Sequence, residues 1–386
     1  MPGWSHATSP ATIGGAMRED VLALLRRRPD VEAPDLVAVD ASDRLLLDLA
    51  NDRGRIGVIG DAYGALTLAL ASEGAEVRVV QDSIAAERAL ALNAEAVRSA
   101  GVGLAPFSIV DSVADAVRDA SAVLLRLPRS LDALAALAAE TALAAPSARV
   151  VAAGRIKHMS LGMNEVLAAR YARVDVSLAR QKSRALLASE ARAEQSPAPG
   201  AERRLLAESR LEVVALPGAF AGARLDLGTR ALLAALDTAA VPGGVAVDLG
   251  CGTGILAAAL ARARPDLAVI ATDTSRVAVA SARATADANG VGERVTTLRD
   301  DNASTLDAGS VDLVLCNPPF HSDGAVTELV ARRMLRAAGR ILRPGGELWT
   351  VFNSHLTHPG ELRRSVGATE IVARDRRFTV TRSVRG

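Results

Sequence analysis

The stretch that best predicts the fold of this chain is Val245-Ala-Val-Asp-Leu-Gly-Cys-Gly-Thr-Gly-Ile-Leu256. Its first five residues, apolar apart from Asp248, have the pattern of a buried strand, and its end opens an Ala-rich segment typical of a helix. Gly250, Gly252 and Gly254 lie between the two. Glycines at such a turn let the backbone bend tightly and approach a ligand closely, as in nucleotide-binding strand-to-helix turns. The stretch therefore predicts an α/β fold with a nucleotide-binding loop.

Three more predicted strands follow this loop. Residues 267–272 lead to Asp273, about twenty residues beyond the loop, where a carboxylate can accept hydrogen bonds from ribose hydroxyls. A third segment ends at residues 299–302, and a fourth, 311–316, leads to Asn317-Pro-Pro-Phe320. Open α/β sheets bind ligands at the carboxyl ends of their strands, so these segments are predicted to line one site.

A candidate clamp for a flat group that bears an amine is formed by Asn317, Pro318, Pro319 and Phe320. The prolines have no N–H and a fixed φ, so their carbonyls and the Asn317 side-chain oxygen can accept hydrogen bonds from an NH₂ group. Phe320 can stack on the attached ring. Holding both amine hydrogens leaves the nitrogen lone pair facing an electrophile, which promotes reaction by positioning. Taken alone, these four residues fit an ordinary turn equally well. Their position after the Gly-rich loop favours methylation of a nitrogen.

This order of motifs resembles the class I S-adenosylmethionine-dependent methyltransferases, which implies S-adenosyl-L-methionine as the cofactor. The residues that the resemblance assigns to the cofactor are Asp248, Gly250, Gly252, Gly254, Asp273, Asp301, Asn302 and Thr229. The acid and glycines of the loop would contact the methionine moiety, Asp273 the ribose, and Asp301 or Asn302 the adenine. Thr229, with Phe220 and Asp226, would close over the cofactor, although these three fit a structural lead-in to a helix equally well.

Composition limits the classes of function. The chain has 386 residues, long enough for two such domains, and 49% of them are hydrophobic. Its formal net charge of +1 provides no global attraction for nucleic acid, so contacts with RNA depend on local arginines. The candidates are Arg203, Arg204, Arg210, Arg332, Arg333, Arg336, Arg340, Arg374, Arg376 and Arg377, although a solvated surface is the more common role for each.

Other composition features argue against a metal, a disulfide scaffold and a membrane. Cys251 and Cys316 lack paired spacing, and the five histidines lack metal-ligand spacing. No apolar run reaches the length of a membrane span. Residues 1–15 lack the features of a signal peptide, so we expect a cytoplasmic protein.

A faint internal repeat at an offset of 190 positions suggests a duplication. Gly60, Gly64 and Pro128 match residues 250, 254 and 318, and the predicted strands of the first half follow the same plan. In the first half, Ala62 replaces the middle glycine and Leu127 stands in place of the clamp asparagine. Chance similarity is the alternative. We predict two tandem Rossmann-like class I methyltransferase domains, of which the first is degenerate.

The predicted organisation has four parts. Residues 1–17 form a disordered tail, and residues 18–190 form the degenerate domain, which binds RNA or substrate or is structural. Residues 191–203, rich in Pro, Ala and Gly, form a linker. Residues 204–386 form the catalytic domain.

A degenerate half followed by an active half with the NPPFH sequence resembles the bacterial ribosomal RNA guanine-N2 methyltransferases. In the first half, residues 127–131, 153–157 and 181–184 look more like the large-subunit (23S) enzymes than the small-subunit (16S) ones. The resemblance implies methyl transfer from S-adenosylmethionine to the exocyclic N2 of a guanine in ribosomal RNA, free or within a subunit, with 23S favoured over 16S. Two alternatives remain. One is an adenine-N6 or protein-glutamine methyltransferase, which could use the same clamp. The other is a non-catalytic RNA-binding or assembly factor, and the intact Gly-rich loop argues against it.

Overall fold

Two seven-stranded sheets with the same spatial strand order organise the chain. The structure is a computed structural model. It describes residues 10–51, 54–194, 196–236, 243–319, 324–355 and 359–386. The chain divides into a first unit, residues 1–199, and a second unit, residues 200–386.

The first unit has a mixed sheet with helices packed against it. Its strands are β1 Ile56–Ile59, β2 Val77–Val80, β3 Phe107–Val110, β4 Ala122–Arg126, β5 Arg149–Arg155, β6 Tyr171–Val176 and β7 Ser183–Ala191. Its helices are α1 Pro10–Leu24, α2 Ala41–Leu49, α3 Ala65–Ser72, α4 Ile84–Ser99, α5 Val113–Val117, α6 Leu131–Ala144 and α7 Leu161–Ala168. The spatial order is β3-β2-β1-β4-β5-β7-β6, and only β7 is antiparallel to its neighbours.

The second unit begins with a hairpin and then repeats this sheet. Its strands are β8 Glu202–Leu206, β9 Leu211–Ala215, β10 Gly244–Leu249, β11 Leu267–Asp273, β12 Val295–Arg299, β13 Val311–Cys316, β14 Leu342–Asn353, β15 Gly367–Arg374 and β16 Phe378–Arg385. Its helices are α8 Leu227–Leu236, α9 Ile255–Ala263, α10 Arg276–Ala288, α11 Gly324–Ile341 and α12 Pro359–Ser365. The large sheet has the order β12-β11-β10-β13-β14-β16-β15.

The central strands of both sheets consist mainly of residues with small aliphatic side chains. All four residues of β1 are buried, and the last four of β10 are buried as well. Parallel strands covered by helices on both faces require such apolar runs. Ala, Leu and Val supply most of the core, and Tyr171 and Trp349 are the largest fully buried side chains among the described residues.

The prediction of two tandem Rossmann-like domains is confirmed by this architecture. The 190-residue offset recurs in the strands themselves, since β2 begins at Val77 and β11 at Leu267. Helix α1 begins at Pro10, so residues 10–17, which the sequence places in a tail, are helical. Residues 1–9 lie outside the described residues. The predicted linker 191–203 overlaps the last residue of β7 and the first two of β8.

Candidate active site

The Gly-rich loop joins the central strand β10 to helix α9. Gly250, Gly252 and Gly254 have φ of +80°, +52° and +75°, values that strongly favour glycine. The backbone N–H groups of Gly250 and Cys251 both donate to the carbonyl of Thr272 at 2.9 Å, which ties the loop to β11. The loop is thus held rigidly at the carboxyl end of β10.

The three glycines differ in what surrounds them. A Cβ on Gly254 would lie 2.7 Å from Cα and Cβ of Ala282, and one on Gly250 would lie 2.8 Å from the Met334 methyl carbon. A Cβ on Gly252 would have no described atom within 4 Å. Gly254 is therefore needed for packing, whereas Gly252 borders open space in which a ligand can approach the backbone.

Asp248 ends the buried part of β10 just before the loop. Its side chain is 1% exposed, and its Oδ2 accepts a hydrogen bond from the Ala257 N–H at 3.0 Å. Its Oδ1 is buried and has no hydrogen-bond partner within the part of the chain that the structure describes. Burial raises the pKa of Asp248 to about 7, and the negative charge of Asp273 adds to the rise. A buried polar atom without a partner is unfavourable, so this oxygen is suited to a polar group of a bound cofactor.

Asp273 lies at the end of β11, as the sequence predicts for a ribose-binding acid. Its Oδ2 accepts from the Gly252 N–H at 3.0 Å, and its Oδ1 accepts from the Ser275 N–H at 2.9 Å. Each carboxylate oxygen has a second lone pair. Asp273 can therefore order the loop and still accept hydrogen bonds from ribose hydroxyls.

The predicted adenine segment after β12 is ordered by Asp300. Its carboxylate accepts from the Ser304 hydroxyl at 2.6 Å and from the backbone and side chain of Thr305 at 2.8 and 2.9 Å. Burial opposes ionisation of Asp300, but these hydrogen bonds hold the pKa of its carboxyl below the usual value. Its role is to shape the loop.

Asp301 and Asn302, the predicted adenine contacts, lie in that loop and bind each other. The Asn302 amide donates to Asp301 Oδ1 at 2.6 Å, and Arg333 of α11 donates to Asp301 Oδ2. Asp301 is 3% exposed. The ion pair connects the loop after β12, predicted to bind the adenine, to helix α11, and this contact was not predicted from the sequence. No spacing rule joins residues 32 positions apart in different elements.

Asn317 follows β13 and contacts the start of α8. Its side-chain nitrogen donates to Asp226 Oδ2 at 2.8 Å and to Thr229 Oγ1 at 3.0 Å. Pro318 is buried and Pro319 is exposed. Phe320, predicted as the stacking platform, lies outside the described residues, as does His321.

One cleft brings the loop and the clamp asparagine together. Its lining residues are Phe220, Ala221, Arg224, Asp226, Thr229, Gly250, Cys251, Gly252, Thr253, Ile255, Leu256 and Asn317. Burial raises the pKa of the thiols of Cys251 and Cys316, so both stay protonated at neutral pH and are poor nucleophiles. The chemistry of the cleft is hydrogen bonding and positioning.

The corresponding edge of the first sheet is filled by the protein's own side chains. Asp61 follows β1, is fully buried, and accepts from the N–H groups of Leu66 at 3.1 Å and Thr67 at 2.7 Å. The Asp61 N–H donates to the Gln81 side-chain oxygen at 3.0 Å. An acid thus stands in this turn at the position that Cys251 has in the second unit.

A partly buried ion-pair cluster lies at the same edge of the sheet. Arg126, the last residue of β4, donates to Asp43 Oδ1 at 2.5 Å and to Asp40 Oδ2 at 3.1 Å. Burial raises the pKa of Asp43 to about 7, although the charge of Arg126 opposes that rise. Leu127 follows in place of an asparagine. The first unit therefore has neither the open loop nor the amide of the second.

Most of the predicted RNA-contacting arginines are engaged within the second unit. Arg203 pairs with Glu212, Arg204 with Glu202, Arg332 with Glu328 and Arg336 with Glu361. Arg340 donates to backbone carbonyls. Arg376 and Arg377 are exposed and form no salt bridge with the described residues. They lie in the β15–β16 turn, at the edge of the sheet where β14 ends, because Asn353 pairs with Phe378. This is also the edge that carries the clamp.

The described residues contain neither a membrane-spanning helix nor a metal-binding group of side chains. Among those residues, no helix is long and apolar enough to cross a membrane. The same ranges contain no group of three or more His, Cys, Asp or Glu side chains that could hold a metal ion.

The topology, the Gly-rich loop and the strand-terminal clamp define a class I methyltransferase preceded by a degenerate copy of the same fold. The family model "Methyltransferase small domain" matches residues 210–382, and "RLMG N-terminal domain" matches residues 18–193. A solved structure described as the T. thermophilus 16S rRNA N2 G1207 methyltransferase (RsmC), in complex with AdoMet and guanosine, has a TM-score of 0.74. It is 23% identical, with 90% of this chain and 92% of that chain covered, and supports the fold.

Curated relatives match over nearly the whole length. Ribosomal RNA large subunit methyltransferase G of Streptomyces coelicolor is 39% identical, with 94% of this chain and 98% of the relative covered. The protein of that name from Pseudomonas aeruginosa is 36% identical, with 93% and 96% covered. The chain belongs to the ribosomal RNA large subunit methyltransferase G family. It is an S-adenosylmethionine-dependent methyltransferase, which confirms the predicted cofactor.

Proposed function

We propose that this protein transfers a methyl group from S-adenosylmethionine to the exocyclic N2 of a guanine in ribosomal RNA, with 23S favoured over 16S. The observation that carries the proposal is the Asn317 side chain. Its nitrogen is hydrogen-bonded to Asp226 and Thr229, so its oxygen is the atom left to accept a hydrogen bond from a substrate amine. Asn317 is one of the residues that line the cleft together with the Gly-rich loop.

The site residues act by holding the amine in place. When bound, S-adenosylmethionine supplies an electrophilic methyl group. Asn317 and the Pro318 carbonyl accept hydrogen bonds from the amine hydrogens, and Phe320 stacks on the base. The nitrogen lone pair is then aimed at the methyl group, and orientation of this kind contributes much of the rate of a transfer reaction. A stacked guanine cannot reach such a cleft, so the substrate base is looped out or flipped.

The remaining predicted residues bind the cofactor. Asp248 with its unpartnered oxygen and Gly252 with open space beside it fit the methionine moiety. Asp273 fits the ribose. Asp301 and Asn302 are assigned to the adenine, and each Asp301 oxygen already accepts one hydrogen bond, from Asn302 and from Arg333.

Names of related proteins support the choice of substrate. The curated relatives are described as large subunit ribosomal RNA methyltransferases. The structural neighbour is described as an N2 methyltransferase of 16S rRNA at G1207 and was solved with guanosine. The large-subunit names favour 23S RNA, and a ribosomal substrate is consistent with the proposed cytoplasmic location.

Basic side chains in each unit suit RNA. In the second unit, Arg376 and Arg377 are exposed at the edge of the sheet that carries Asn317. In the first unit, the chain's two lysines lie together, since the Ile156 N–H, next to Lys157, donates to the Lys182 carbonyl at 2.9 Å. Phosphate contacts of this kind position an RNA without reading its sequence.

These features assign a role to each predicted part. Residues 204–386 carry catalysis. Residues 18–190 bind RNA and hold no cofactor, because Asp61 and the Arg126 cluster fill the corresponding edge of the sheet. Residues 191–203 link the two.

The test is transfer of labelled methyl from S-adenosylmethionine to separated 23S and 16S RNA, and to intact ribosomal subunits that lack the modification, followed by nucleoside analysis. We expect N2-methylguanosine in 23S RNA or its subunit. N6-methyladenosine as the product would refute the guanine assignment. Measurable cofactor binding without incorporation into any RNA would refute an RNA substrate and direct the search to protein glutamine or to an assembly role.

A further inference from the structure

The carboxamide of Asn317 is held in one of its two orientations. Its nitrogen lies 2.8 Å from Asp226 Oδ2 and 3.0 Å from Thr229 Oγ1. An ionised carboxylate accepts hydrogen bonds and cannot donate them. The reversed amide would therefore place two acceptor oxygens in contact. The Asp226 carboxylate thus determines that the nitrogen end of the amide, and not the oxygen end, contacts Asp226 and Thr229.

We propose that Asp226 and Thr229 are positioning residues that fix the Asn317 amide so that its oxygen, and not its nitrogen, meets the substrate amine. The inference rests on the proposed function, in which Asn317 accepts a hydrogen bond from that amine. It assigns the Thr229 hydroxyl to Asn317, whereas the sequence analysis assigned Thr229 to the cofactor.

The anchor itself is rigid. Asp226 Oδ2 also accepts from the N–H groups of Gly228 at 3.0 Å and Thr229 at 3.1 Å, the arrangement of a helix N-cap. The positive end of the dipole of α8 stabilises the negative charge there. Leu232, one turn along the same helix, is completely buried in the core. The acceptor that orients Asn317 is therefore fixed to the backbone of a packed helix.

Gly228 gives independent evidence that the amide has one fixed place. A Cβ on Gly228 would lie 3.0 Å from Asn317 Oδ1 and 3.3 Å from Nδ2, both closer than ordinary contact. Its φ is not among the positive values, so a larger residue here is limited by space and not by backbone conformation. The amide therefore lies close to Gly228.

The orientation has a consequence for specificity. An amide oxygen in the cleft attracts an NH₂ group, whereas an amide nitrogen in the same place would oppose two donors. Building such an unfavourable contact against the wrong group is an effective source of specificity. Asp226 and Thr229 therefore favour an amine substrate although neither needs to touch it.

The experiment compares Thr229→Val with Thr229→Ser, because valine keeps the volume but removes the acceptor and serine keeps the acceptor. Loss of one neutral hydrogen bond predicts a fall in kcat of about fivefold to tenfold for Thr229→Val, with Kd for S-adenosylmethionine within twofold of wild type. Thr229→Ser should restore kcat. Asp226→Asn, which keeps a good N-cap but permits the reversed amide, should lower kcat more, by about a hundredfold.

Two results would overturn the inference. Weakened S-adenosylmethionine binding in Thr229→Val, with unchanged kcat at saturating cofactor, would make Thr229 a cofactor residue. Equal impairment of the valine and serine variants would indicate that methyl-group packing, not the acceptor, matters.

A readout without turnover separates this inference from the proposed function. The side-chain amide protons of Asn317 should be protected from solvent exchange by NMR in the free wild-type protein and lose that protection in Asp226→Asn. Unprotected Asn317 amide protons in the wild type would contradict the inference whatever the substrate is. Methylation of an amine other than guanine N2 would refute the proposed function and leave the positioning test intact.

Discussion

Alanine substitution at each of the three loop glycines should give three different outcomes. All three have positive φ, so each variant carries the same backbone strain of about 1–2 kcal/mol. Gly254→Ala places a Cβ only 2.7 Å from the Ala282 Cα, and overpacking of this kind costs about 1–3 kcal/mol more. Gly250→Ala meets only the flexible end of Met334, which can move.

Gly252→Ala is the informative variant. Its Cβ would meet no described protein atom within 4 Å, so its stability loss should stay at the strain alone, about 2–8 °C in Tm. The same Cβ would project into the space assigned to the cofactor, and we expect Kd for S-adenosylmethionine to rise at least tenfold. Gly254→Ala should show a larger drop in Tm.

The assay is calorimetric titration with S-adenosylmethionine together with thermal unfolding of each variant. Gly309→Ala is the matched control, because Gly309 has a φ of +68° and no described atom within 4 Å of an added Cβ, but lies before β13, away from the cleft. It should lose the same stability as Gly252→Ala and bind the cofactor normally. Normal cofactor binding by Gly252→Ala would refute the placement of the cofactor against this loop.

Three further predictions concern the clamp, the RNA contacts and the first unit. Asn317→Ala should leave Kd for S-adenosylmethionine within a few-fold and lower methyl transfer about a hundredfold or more; equal loss of both would mean that Asn317 shapes the cofactor site. Replacing Arg376 and Arg377 with alanine should weaken binding of ribosomal RNA and reduce the slope of log affinity against log salt concentration by about 2. An unchanged slope would exclude phosphate contacts by these two arginines. Arg126→Met should remove the charged partner of the buried Asp43 carboxyl, which then protonates near neutral pH, and destabilise the first unit by about 1–3 kcal/mol through the lost hydrogen bonds. Cofactor affinity should not change, and weaker cofactor binding would show that the first unit supports the site.

The features that could be predicted from the sequence are those with local signals. The glycine spacing, the alternation of strands and helices, and the prolines after β13 each depend on a few adjacent residues. That the first unit neither binds the cofactor well nor holds an amine stays a prediction, which depends on Ala62 and Leu127 in place of a glycine and an asparagine. The assignments of Asp273 and Phe320 stay predictions, and Phe320 lies outside the described residues.

The features that could not be predicted are contacts between distant parts of the chain. Asn317 meets Asp226 across 91 positions, and Arg333 meets Asp301 across 32. No periodicity connects such pairs, because the tertiary fold alone brings them together. The charge cluster of Arg126 in the first unit has the same origin. The helix at residues 10–17 was missed because a Gly-rich and Ser-rich start has low helix propensity.

The most direct test of the central claim is nucleoside mass spectrometry of 23S RNA from cells in which the gene has been deleted and then returned. We predict that deletion removes N2-methylguanosine from one site, that the wild-type chain restores it, and that the chain carrying Asn317→Ala does not. An unchanged content of N2-methylguanosine in 23S RNA after deletion would contradict the proposed reaction.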